Sequence, residues 1–325
     1  MSPTFASIWA SDFAAFLVFK RALGYPYRRA EFTLRELDRF LVGQRHGRGN
    51  QRLHESILTW LARRPGRKPV SVAIELAVVR QFYAFLRRQG RRGLHEPSWP
   101  QLPATSNHVP YVFSTQEVRK LLHLTTMLGW HPFRRIMYRT LILVLYCTGL
   151  RFGEALRLRM RDVDVVTGTL FIVESKGRSR WVPCHRSLCR EFRRYLVARK
   201  VFAPAAGPDD RFFVGTGKTK LPTTRLPTKT ASETVRRLLR AAGLKPAAGR
   251  VGPRPYDFRH AFALHRLTRW YRAGVDLHAR LPWLSAYMGH DDLLGTETYL
   301  TATPELLALA GGRFRRRYMT VRRPH

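Results

Sequence analysis

Apolar residues recur at helical spacing through the first ninety positions of the chain. Phe13, Phe16 and Leu17 share one face; Leu34, Leu37 and Leu41 a second; Ile57, Trp60 and Leu61 a third; Ile74, Val78, Phe82 and Phe85 a fourth. Gly24-Tyr25-Pro26, the stretch from Gly43 to Gly49 and Pro65-Gly66 separate these stripes. The pattern predicts a small core of four or five helices over residues 11–92. Gly90 to Pro110 then carries four prolines and two glycines and reads as an extended linker.

The pattern changes beyond the linker. Ser114 with Glu117 three residues on is a capping box, and a helix is expected from there to about Leu128. A second helix from about Pro132 becomes apolar on every side between Leu141 and Cys147, which predicts burial, and Gly149 ends it. Residues 169–174 and 180–184 are strand-like around a turn at 175–179. Helices are expected at about 187–200, 231–242 and 256–271. Another carries Leu281, Leu284 and Met288 on one face, with Pro282 in its first turn. A last one begins at Thr303-Pro304, carries Leu306, Leu307 and Leu309, and stops at Gly311-Gly312 before the basic tail Arg313-Phe314-Arg315-Arg316-Arg317. The expected fold is mainly α with a small β-sheet in the second domain: a helical domain over 1–95, a linker over 96–110 and a larger domain over 111–325.

Charge alters this picture most. The 325 residues hold 58 Lys and Arg against 22 Asp and Glu, a net charge of +36. Residues 1–110 contribute +11 and the remainder +25, so both domains are basic. Such a surplus repels itself unless a polyanion neutralises it, which points to a nucleic-acid partner and leaves its type open. Three cysteines, Cys147, Cys184 and Cys189, fit a reducing compartment without a disulfide framework. They lack zinc-ligand spacing, so neither metal nor cofactor is expected. The longest purely apolar run, Leu141 to Cys147, falls far short of the roughly 20 residues that span a bilayer. No membrane segment or signal peptide is expected, and the location read from this is cytoplasmic, associated with the nucleoid. Phe212 to Thr219 superficially suggests a phosphate-binding loop, but Phe212 stands where its first Gly belongs and Pro222 and Pro227 follow. Lys218, Lys220, Arg225 and Lys229 suit that loop better to a phosphate backbone.

Four short segments carry candidate chemistry. Thr148-Gly149-Leu150-Arg151-Phe152-Gly153-Glu154 joins a buried helix to the next. Ser175-Lys176-Gly177 lies in the turn between the strands. Tyr256-Asp257-Phe258-Arg259 opens a helix, and Met288-Gly289-His290 is followed nine residues later by Tyr299. Each has a plain structural reading: Arg151 as a clamp on carbonyls, Lys176 as a solvated turn lysine, His290 as a cap and Tyr299 as a core residue. On one unbroken helix His290 and Tyr299 would face opposite ways, but Gly295 offers a break and Thr296 a new N-cap.

As an ordered set, these segments resemble the tyrosine recombinase (phage integrase) family over about residues 111–310. The resemblance implies a two-domain, C-shaped clamp around duplex DNA. It implies a catalytic set of Arg151, Lys176, Arg259, His290 and the nucleophile Tyr299, with Tyr256 at a further position and Glu154 as a supporting group. It also implies assembly as a homo-oligomer, a tetramer on recombining sites, with the C-terminal helix docking in trans. The chemistry suits the residues. Guanidinium is always charged and matches two phosphate oxygens. A phenol of ordinary pKa about 10 needs neighbouring positive charge to attack at neutral pH. Lys176 is the candidate acid for the leaving 5′ oxygen.

Two points depart from the family pattern. Ser175 precedes Lys176 where Gly is common. Tyr256 stands where His is usual, so a neutral phenol replaces a group able to shuttle protons near pH 7. The reading is a site-specific recombinase or integrase of a mobile element, acting in DNA integration or transposition through a 3′-phosphotyrosine without metal or ATP. The alternatives are a catalytically weakened DNA-binding protein on the same scaffold and a type IB topoisomerase-like enzyme.

Overall fold

The computed structural model describes residues 5–43, 50–63, 69–91, 98–101, 110–127, 129, 131–175, 178–215, 225–249 and 251–290. The chain divides into two compact units, Met1–His108 and Val109–His325.

Among the described residues, the first unit holds four helices: α1 (Ala10–Ala22), α2 (Arg28–Gly43), α3 (Asn50–Ala62) and α4 (Pro69–Arg88). Their stripes close on one core in which Phe13, Phe16, Leu34, Leu37, Ile57, Trp60, Phe82 and Leu86 are sealed from solvent. Burying each large side chain contributes about 1.5–3 kcal/mol. Ile74 sits only half-buried at the start of the α4 stripe, and Leu76 and Val79 fill the core instead. By length and composition α4 is apolar enough to cross a membrane. Its inward face, Leu76, Val79, Phe82 and Leu86, packs in this core, which marks it as the unit's central helix. Asp38 is buried and accepts hydrogen bonds from the backbone N–H groups of Ala6 and Ser7, pinning the chain's start to α2.

The second unit is helical around a three-stranded antiparallel sheet. Among the described residues its elements are α5 (Thr115–Met127), α6 (Pro132–Thr148), the short α7 (Phe152–Arg157), a 3-10 turn at Met160–Asp162, β1 (Val163–Asp164), β2 (Thr169–Ser175), β3 (Arg178–Pro183), α8 (Arg186–Phe202), α9 (Thr228–Ala241), α10 (Asp257–Arg272) and α11 (Leu277–Met288). The strand order is β1-β2-β3, with Leu170 opposite Val182 and Ile172 opposite Arg180.

The local signals act as their chemistry requires. At α5, the Ser114 N–H donates to the Glu117 carboxylate and the Glu117 N–H donates to the Ser114 hydroxyl. At α6, His131 caps the helix through Nδ1 and Pro132 takes the first helical position. Leu141, Ile142, Val144 and Leu145 are fully buried. Gly149 then stops α6 in the left-handed region at φ 63°. A Cβ there would stand 2.4 Å from Cδ1 of Phe262, so both the conformation and the neighbour require glycine.

One helix start differs from the sequence reading. Asp276 caps α11 by accepting from the His278 N–H, so the helix begins at Leu277 and Pro282 lies inside it rather than in its first turn. The capping carboxylate outweighs the proline as a start signal.

Candidate active site

Three helix boundaries meet around one buried carboxylate. Gly149 turns the chain sharply after α6, and Arg151 follows in extended conformation just before α7. Glu154, in the first turn of α7, has a side chain with no solvent exposure. It accepts from the Arg151 backbone N–H at 2.9 Å and from Arg151 Nη1 at 2.8 Å. Arg180, projecting from β3, donates to the same carboxylate from Nη2 at 2.8 Å and Nη1 at 3.3 Å. One negative charge thus holds two guanidiniums.

The second half of the site comes from α10 and the end of α11. Arg259 enters from the first turn of α10 and is 1% exposed. Its Nη1 donates to the Gly149 carbonyl at 2.8 Å and its Nη2 to the Met288 carbonyl at 2.9 Å. Arg151 Nη2 donates to the next carbonyl, that of Gly289, at 2.6 Å. The two arginines, 108 positions apart in sequence, therefore hang on consecutive peptide units. His290 follows directly, and its backbone N–H closes the α11 terminus on the Ser285 carbonyl at 3.0 Å. Gly289, at φ 68°, makes the turn that permits this. C-terminal helix carbonyls carry partial negative charge, so they suit guanidinium anchors. Arg151, Arg180 and Arg259 against Glu154 leave two positive charges in this group of four side chains.

Tyr256 lies at the N-terminal boundary of α10, 41% exposed, its ring 5.0 Å from that of His260 at a 73° angle. It shares the α10 start with Arg259, whose backbone N–H donates to the Tyr256 carbonyl. Asp257, buried between them, accepts from the Arg254 backbone N–H and pairs with the Arg254 side chain, bracing this turn. Tyr287 is a second tyrosine near the pocket. Burial pushes its phenol well above the ordinary range, and it donates to the Pro183 carbonyl, so it is poorly suited as a nucleophile.

The structure thus gathers Arg151, Glu154, Arg259 and the backbone leading to His290, with Tyr256 on the adjoining edge. Lys176 and Tyr299 lie outside the described residues, as do the expected C-terminal helix and basic tail. Among the described residues, no group of three or more His, Cys, Asp or Glu is placed to hold a metal ion. Sequence reasoning missed Arg180, which reads as one arginine among many on a strand. Its only signal is its place on the buried-facing register beside Leu170, Ile172 and Val182.

Residues 112–305 match the phage integrase family. An integrase/recombinase of Sinorhizobium fredii, y4rB, is 33% identical over 314 residues, covering 93% of this chain and 96% of the relative. The tyrosine recombinase XerA of Thermococcus kodakarensis is 30% identical over 234 residues, 72% of each chain. Among solved structures, the Tn1549 transposon integrase in complex with circular intermediate DNA superimposes with a TM-score of 0.66 at 17% identity, covering 93% of this chain and 99% of that one. The XerH recombinase bound to its palindromic difH substrate gives 0.63 at 17% identity, covering 94% and 85%. At such identities these two likenesses speak for the fold alone.

The chain belongs to the phage integrase family. It is a site-specific recombinase of the tyrosine type.

Proposed function

We propose that this recombinase breaks and rejoins duplex DNA through a 3′-phosphotyrosine at Tyr299, serving the integration or transposition of a mobile element. The observation that carries the proposal is the anchoring of Arg151 and Arg259 on the consecutive carbonyls of Gly289 and Met288, beside His290. A phosphodiester repels nucleophiles and has a poor alkoxide leaving group. Two fixed guanidiniums offset the charge that builds on the non-bridging oxygens.

The steps balance without outside energy. Tyr299 Oη gives up its proton to His290 or to water and attacks phosphorus, the bond from phosphorus to the 5′ oxygen breaks, and that oxygen takes a proton from Lys176. His290 hydrogen-bonds the phosphate or assists Tyr299. A 5′-OH from a second strand then reverses the step on a new partner. The phosphotyrosine bond conserves the energy of the bond broken, so neither ATP nor metal is consumed. Both basic units bind the duplex, joined by the proline-rich linker, and two sites are exchanged by a homotetramer acting on DNA in the cytoplasm.

The test is a suicide duplex carrying the element's end, incubated with protein in chelator and resolved on a denaturing gel. A covalent adduct that disappears in Tyr299→Phe is the expected result. Cleavage that appears only with Mg²⁺, or a verified bound site that yields no adduct, would refute the mechanism. The second outcome would favour a DNA-binding protein with weakened catalysis, a reading to which Tyr256, in place of the family's usual histidine, lends weight.

A further inference from the structure

The role of Arg180 goes beyond the family's catalytic set and rests on the reaction proposed above. Its side chain is 12% exposed, far less than that of a surface arginine. It touches two helices and the turn that ends one of them. Nη1 and Nη2 straddle both carboxylate oxygens of Glu154 on α7. Nε donates to the Tyr287 carbonyl in the last turn of α11 at 2.9 Å. The flat guanidinium also lies against Gly289: a Cβ there would fall 2.7 Å from Nη1 and 2.8 Å from Cζ. Glycine at 289 therefore makes room for Arg180 as well as supplying the left-handed turn.

These contacts bear on charge and on position. Arg151 with Glu154 alone is a neutral pair, poorly suited to offset the charge that builds on a reacting phosphate. A second guanidinium on the same carboxylate restores a net positive charge to the trio. The planar fork also fixes Glu154 in two directions, which a point charge on a flexible stem does not do. Through Glu154 it holds Arg151, and through Tyr287 and Gly289 it holds the segment that presents His290.

We propose that Arg180 is a positioning residue for strand cleavage. It locks Arg151 and the Gly289-His290 turn into one arrangement without touching the DNA. Removing it therefore slows chemistry and leaves duplex binding in place.

The test uses the full chain and a suicide duplex, with three measurements per variant: adduct rate, affinity for the same duplex by gel shift, and melting temperature. Arg180→Met is expected to slow adduct formation by about 100-fold, the order of loss that a displacement of about 1 Å produces. Its duplex affinity should stay within about threefold of wild type. Arg180→Lys keeps the charge but cannot span Glu154 and Tyr287 together, and should remain about tenfold slow. A substrate with a bridging 5′ sulfur needs no proton on departure, so the Arg180→Met defect should persist on it.

A wild-type rate in Arg180→Met would overturn the proposal. So would an affinity loss that matches the rate loss, which would make Arg180 a DNA contact. Rescue by sulfur would place it on the leaving-group side and overturn the proposal equally. If Arg180→Met does not fold, Arg180→Lys decides, and a wild-type rate there refutes the positioning role. Absence of any wild-type adduct would instead refute the reaction itself.

Discussion

Glu154→Gln removes one charge and almost no volume, yet it should be among the most damaging exchanges in the second unit. The wild-type carboxylate is fully buried and holds two arginines whose side chains are 18% and 12% exposed. Glutamine offers one acceptor oxygen and turns an NH2 toward a guanidinium, setting donor against donor. Removing one partner of a buried ion pair costs about 3–5 kcal/mol, because the other charge is left without compensation. Both arginines retain some contact with water, so the lower end, about 3 kcal/mol, applies here. For a unit of this size each kcal/mol moves the melting temperature by about 2–4 °C, giving an expected fall of about 6–12 °C. The assay is a thermal melt of DNA-free protein followed by circular dichroism, at fixed salt. The double variant Glu154→Gln with Arg180→Met should recover part of the loss, since one uncompensated charge goes with the arginine. A fall below about 2 °C, or a double variant that melts lower than the single, would refute the view that this carboxylate organises the site.

Three other outcomes follow from the geometry. Gly149→Ala forces a side chain into φ 63° and against the Phe262 ring, and should cost at least about 2 kcal/mol in urea unfolding; near-neutral behaviour would contradict the packing described. Tyr256→His should speed adduct formation and introduce a pH dependence with a midpoint near the ordinary histidine value of about 6.5; an unchanged rate and profile would separate that position from proton transfer. Burial pushes the Cys184 thiol up to about 12, with Cys189 and Cys147 nearby adding to the effect. At pH 8 its thiolate fraction is then about one part in ten thousand, so iodoacetamide should label it slowly in folded protein and quickly in urea. The sign of the linked effect is fixed: between about pH 8.5 and 12 the unfolded chain loses this proton and the folded chain keeps it, so stability falls as pH rises through that window.

Elements with local causes were legible in the sequence. The apolar run Leu141 to Cys147 announces a buried helix, Gly149 its end, and Ser114 with Glu117 the start of α5. The strands around Lys176 were placed to within two residues at each end. The start of α11 was misread because a proline draws attention as a first-turn residue, while the capping effect of Asp276 is only visible once the His278 N–H points at it. In the site, residue identity marks Arg151, Arg259 and His290 as candidates. It does not show that Arg151 and Arg259 share neighbouring carbonyls. A main-chain oxygen looks the same at every position, so no side-chain pattern announces it. Arg180 escaped for a related reason: its partners Glu154 and Tyr287 are 26 and 107 positions away, and nothing local distinguishes it from the other arginines.

The main-chain anchoring of the arginines bears on how such a protein can drift over evolutionary time. Gly149, Met288 and Gly289 receive Arg259 and Arg151 through peptide carbonyls, which every amino acid possesses. No single substitution can delete those acceptors; only a change in the path of the chain can move them. The constraint therefore falls on the two turn glycines and on the apolar packing of α6 and α11 that sets the path of the chain, rather than on any side chain acting as acceptor. A cradle built on main-chain acceptors can thus outlast the side chains of the residues that form it.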